Sequence, residues 1–227
     1  MVEVYEEGLC AVTRGLFAEI GAELALDVSG AGGPELLESA KSLALFLGGY
    51  FESIGRAPEP GETTDWASSL LISQKVGEGR IGFDEFAFDG VTIRHGVVQC
   101  AKIWSAQSNM CHRFRSDYRP SRFGQLIAVS PGLLEGTPSI EGVRYAAPDH
   151  MTGWWLFAEG YDGAKDEFKS MKTVHVFDVI ARLPNVAAVL GLNVGFAFRQ
   201  TDLLSPGGAS VNVWFEGDSE KRDDVSL

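Results

Sequence analysis

The chain has 227 residues, 45% of them hydrophobic, and a formal net charge of −12, which is enough for one large or two small domains without a disulfide framework. So acidic a chain excludes the usual electrostatics of nucleic-acid binding, in which lysines and arginines neutralise phosphates. The charge is uneven, at −9 over residues 1–65, +2 over 66–145 and −5 over 146–227, and such a surface suits solubility or capture of a basic protein partner.

Taken in chain order, apolar residues from Val4 through Leu9, Val12, Leu16, Phe17, Ile20 and Leu24 recur at three-and-four spacing and predict a first helix, weakened by Gly8, Gly15 and Gly21. After the linker SGAGG, Pro34 opens a second helix whose apolar face runs from Leu36 through Leu43, Leu47 and Phe51 to Ile54. The turn PEPGE at 58–62 precedes the runs SSLLISQKV and RIGFDEFAFDGVTIR, which predict strands with a tight hairpin at Asp89-Gly90. Val97, Cys100, Ala101, Trp104, Ser108 and Cys111 then fall at helical spacing and predict a third helix. A basic cluster follows, His112, Arg113, Arg115, Arg119 and Arg122, suited either to an anion or to pairing with the acids of the first two helices.

Beyond Pro120 the pattern is one of short strands, FGQLIAVSPGLLEG, SIEGVRYAAPDH and TGWWLFAEG. A helical interruption from VHVFDVIARL to AAVLGL separates these from GFAFRQ and SVNVWFEGD, and the tail DSEKRDDVSL is expected to fray. The expected fold class is α+β: a helix-rich N-terminal part, residues 1–120, followed by a mainly antiparallel sheet with one helical interruption, residues 121–227. In TGWWLFAEG, Trp154 and Trp155 are neighbours on a strand, so one ring enters the core and the other is only partly shielded.

No catalytic constellation is legible. Cys10, Cys100 and Cys111 are an odd number and read as reduced, buried thiols; there is no CxxC or HExxH, so no metal or other cofactor is expected. Cys111 and His112 adjoin in sequence, but a working dyad is assembled in space. Ser130 lacks a nucleophile elbow, and SGAGG and SPGGAS lack phosphate-loop spacing. The acidic start MVEVYEEGLCAVTRG is unlike a secretory signal, and no run of about 18 apolar residues occurs. The expectation is a cytoplasmic protein without a membrane span, monomeric or a small homo-oligomer.

The back half resembles a known family. LIAVSPGLLEG, IEGVRY, AAPDHMTGWWLFAEG, DEFKSMKTVHVFDVIARLPNVAAVLGL, GFAF and SVNVWFEGD, from about Gln125 to Asp218, are similar in wording and order to the thirty-third family of bacterial polymorphic-toxin immunity proteins. His150, Met151 and the long SPGGAS depart from the pattern, and the first 110 or so residues lie outside it. The resemblance implies a non-catalytic antitoxin that neutralises a cognate toxin or secretion-system effector, such as one of a type VI system, and so protects producer and sibling cells. Charge complementarity with a basic toxin would speed association. The candidate contact residues are Trp154, Trp155, Glu159, Tyr161, Asp162, Asp166 and Glu167. A secretion-system adaptor, or a small enzyme built around Cys111 and His112, are the alternatives.

Overall fold

In a computed structural model of the chain, which describes residues 2–30, 33–162, 169–201, 210–216 and the backbone of 223–226, the first expected helix is absent. Its residues form β1 (Glu3–Glu7), β2 (Cys10–Arg14), one turn of helix, α1 (Phe17–Ile20), and β3 (Glu23–Asp27). Gly8, Gly15 and Gly21 all adopt positive φ, so each glycine breaks the run with a turn, and the apolar spacing that imitates a helix is produced by short strands between turns. Glu23 fastens these turns: its carboxylate accepts from the Thr13 hydroxyl at 2.7 Å and from the backbone of Gly15, Leu16 and Phe17. Burial raises its pKa, but these hydrogen bonds outweigh burial and leave it lowered.

The N-terminal part is therefore strand-rich with one long helix, rather than helix-rich. That helix, α2 (Gly33–Ile54), follows the predicted face through Leu36, Ala40, Leu43, Ala44, Leu47 and Phe51, which are buried, but not at its end, where Ile54 is 46% exposed. The remaining elements are β4 (Thr63–Trp66), β5 (Ser69–Gly77), β6 (Arg80–Phe86), β7 (Ile93–Arg94) and α3 (Val98–Arg113). The strands form one mixed sheet ordered β1-β2-β3-β6-β5-β4, with β7 on β6 across the expected Asp89-Gly90 turn; β3 and β6 are parallel. The buried carboxylate of Glu85 accepts from the Gln99 and Cys100 amides at 2.8 Å each, placing negative charge at the start of α3. The chain divides into two units, Met1–Ala106 and Gln107–Leu227, and α3 runs across the division.

The second unit contains β8 (Leu126–Val129), β9 (Ile140–Arg144), β10 (Met151–Ala158), β11 (Lys172–His175), α4 (Val176–Arg182), a 3-10 segment (Pro184–Gly191), β12 (Phe196–Thr201), β13 (Ser210–Phe215) and β14 (Asp223–Ser226). Its sheet is ordered β11-β8-β10-β9-β12-β13-β14; β8 and β10 are parallel and the other pairs antiparallel. The tail expected to fray instead supplies β14, which pairs with β13. The strand β11 likewise replaces the start of the expected helical interruption, which begins only at Val176.

Arg144 organises the inner face of this sheet. It is 2% exposed, and its guanidinium donates to the carbonyls of Thr152 at 2.9 Å, Arg119 at 2.6 Å and Leu190 at 3.4 Å, and to that of Leu192. Burial, with the nearby charge of Arg119, lowers its pKa to about 9, so it stays charged at neutral pH. Opposite it on β10 lies Trp154, whose ring packs edge-on to Phe198 at 5.5 Å and faces the guanidinium at 5.7 Å.

The Thr-Gly-Trp sequence has a backbone reason. Thr152 Oγ1 accepts from the Trp154 amide at 3.0 Å, and Gly153 adopts φ +81 where the β8–β10 register shifts. An added Cβ at Gly153 would lie 2.0 Å from the Tyr145 carbonyl oxygen. Gly153→Ala is expected to lower unfolding free energy by roughly 2 kcal/mol or more in urea titrations. Arg144→Met, which orphans several buried carbonyls, is expected to cost about 3 kcal/mol in the same measurement, with Arg144→Lys only partly restoring it.

Candidate partner-binding site

Alternation along β10 places Trp154 and Trp155 on opposite faces of the second sheet. Trp154 is 1% exposed and belongs to the core, whereas Trp155 is partly exposed on the outer face. Trp155 sits opposite Val143 of β9, and Phe157 opposite Glu141, whose other neighbour is Arg199 of β12. Tyr145, just past β9, is 49% exposed on the same surface. Together with Glu159, Gly160 and Tyr161 these residues line an open cleft of about 530 Å³.

The cleft is aromatic with a charged margin. The Tyr161 ring stacks on Phe157 at 5.8 Å with the planes 11° apart, and its hydroxyl lies 3.1 Å from Ser170 Oγ. Arg199 meets Glu141 at 3.4 Å, each side chain about half exposed, so this pair adds little stability. Burial, and next the charge of Glu216, raises the pKa of Tyr145, so its hydroxyl remains a proton donor at neutral pH.

Of the residues singled out from the sequence, the structure brings Trp155, Glu159 and Tyr161 into one cleft. Trp154 lies on the opposite face, Asp162 is exposed just beyond the cleft, and Asp166 and Glu167 lie outside the described residues. Sequence reasoning missed Glu141, Tyr145, Phe157 and Arg199. The signal for the first two was IEGVRY itself, where residues at even spacing from Arg144 face inward and Glu141, Val143 and Tyr145 face outward.

Within the second unit and among the described residues, no carboxylate lies within ion-pair distance of Arg113, Arg115, Arg119 or Arg122, and Arg122 donates to the Asp149 carbonyl at 2.8 Å. Arg113 and Arg115 line a second groove of about 720 Å³ with Phe114, Trp214 and Phe215. Among the described residues there is no cluster of three or more His, Cys, Asp or Glu able to hold a metal.

With this geometry in view, the class of the domain is clear: residues 106–216 match the family model described as Imm33-like domain. The C-terminal part of the chain thus carries an Imm33-like domain, as its strand motifs suggested. No curated protein and no solved structure gives a significant match to the chain.

Cys111 is a packed thiol. Its sulfur donates to the Gly191 carbonyl at 3.3 Å, and burial pushes its pKa up to about 11, so it is not a thiolate at neutral pH. Native protein at pH 8 is therefore expected to react slowly at Cys111 with a chromogenic disulfide reagent, and fast once unfolded; labelling followed by peptide mass analysis reads this out, and rapid native labelling would contradict the packing.

Proposed function

We propose that the chain is an immunity protein that binds and neutralises a cognate toxin or secretion-system effector in the cytoplasm, and that the outer cleft of its C-terminal sheet is the docking surface. The observation that carries the reading is the Imm33-like match over residues 106–216, since membership of an immunity family implies a toxin partner. The cleft supports the placement: it combines partly exposed tryptophan and tyrosine rings, the residue types that dominate interface energetics, with charged residues at its margin. The net charge of −12 suits a basic toxin and rapid, steered association. Among the described residues no helix is long and apolar enough to cross a membrane.

The test starts with the tagged protein as bait in lysate of the source cells, followed by expression of each captured protein with and without this chain. A partner that kills alone and is harmless in its presence is the expected result. Trp155→Ala and Glu159→Lys should each weaken binding at least tenfold, roughly 1.4 kcal/mol or more, while leaving the unfolding midpoint nearly unchanged. A partner whose effect is the same with and without this chain would point to an adaptor instead, and unaltered affinity in both variants would move the docking surface elsewhere.

A further inference from the structure

Resting on that reading, we infer that the outer cleft is a receptor for a guanidinium: its occupant is an arginine side chain projecting from the partner protein. Three features of the cleft converge on this chemistry. The first is its aromatic floor. Trp155 and Phe157 are two residues apart on one strand, so their side chains leave the same face from backbone positions roughly 7 Å apart, and the Tyr161 ring stacks on Phe157. Flat, electron-rich ring faces attract a planar cation, and a guanidinium stacks on them better than a compact ammonium does.

The second feature is charge. Among the described residues, the cleft lining carries two carboxylates, Glu141 and Glu159, against one guanidinium, Arg199, so that part of it is net negative. Among the described residues Glu159 makes no ion pair; it lies just past the end of β10 and lines the same cleft as Phe157 and Tyr161. An anionic or phosphorylated occupant would meet both acids and is disfavoured.

The third feature is that the surface already holds one guanidinium. Arg199 engages Glu141 through Nε at 3.4 Å while both side chains stay about half exposed. An incoming arginine can adopt the same relation to the carboxylates, now with aromatic planes beneath it and with water excluded by the partner, which strengthens both attractions. The volume of about 530 Å³ accommodates such a side chain with its flanking residues.

The experiment uses the full chain with ¹⁵N-labelled tryptophan and three probes: N-acetyl-arginine methylamide and the matching citrulline and lysine derivatives. The Trp155 indole resonance, assigned through Trp155→Phe, is followed as each probe is added. The arginine derivative should shift it saturably, with citrulline, which keeps the shape and loses the charge, binding about tenfold more weakly and lysine falling between. The response should disappear in Glu141→Gln/Glu159→Gln, whose fold is checked by its unchanged circular dichroism and unfolding midpoint. No shift with arginine, an equal shift with citrulline, or a response that survives in a folded double variant would each overturn the inference. None of these measurements involves a toxin, so the receptor chemistry can fail while growth protection stands, and protection can fail while arginine binding stands.

Discussion

The second unit depends on one buried cation neutralised by dipoles rather than by an opposite charge. Arg144 spends its donors on backbone carbonyls from three separate stretches: the loop after α3 at Arg119, the end of the 3-10 segment at Leu190 and Leu192, and β10 at Thr152. None of these stretches neighbours another in sequence. A guanidinium is suited to this because its donors fan out in a plane, whereas a lysine offers a single charged point. Carbonyl groups at chain bends that would otherwise be buried without partners are thereby satisfied, which is why the loop and the 3-10 segment can pack against the sheet at all.

The same interaction decides what the sheet shows to solvent. Arg144 pairs across the ladder with Trp154, so fixing the arginine inward fixes that tryptophan inward, and the two-residue period then turns Trp155 and Phe157 outward beside Val143 and Glu141. The outer cleft is in this sense the reverse side of the core. The Leu-Gly-Leu stretch serves the inner face in a parallel way: the Leu190 carbonyl accepts from both the Ser121 amide and its hydroxyl, and the Gly191 carbonyl accepts from the Arg119 amide and the Cys111 thiol. Motifs that read as weak sequence signatures are thus the places where distant backbone segments exchange hydrogen bonds.

Legibility in the sequence followed the range of the interaction. The helix α2, the face of α3, the strands on either side of the Asp89-Gly90 turn and most strands of the second sheet were readable because their patterns are local. The opening segment was misread because glycine-punctuated strands of about five residues scatter apolar side chains at intervals that a helix also produces. At the candidate site, the strand bearing Trp155 and the loop bearing Glu159 and Tyr161 adjoin in sequence and were found together. Glu141 and Arg199 come from other strands of the ladder, and only the pairing register brings them to Phe157. The inward or outward sense of each tryptophan was equally invisible, since it is set by Arg144 and by the register shift at Gly153.

The alternation along β10 divides the labour between two adjacent positions. Position 154 is bound by the close-packed interior, where almost any replacement leaves a void or a clash. Position 155 lies on the other face, where it is partly exposed and lines the outer cleft. A substitution at the outward residue therefore changes the lining of the cleft, while the inward residue goes on packing the domain core unchanged. Adjacent tryptophans that look redundant on the page are, on this scaffold, one fixed position and one adjustable one.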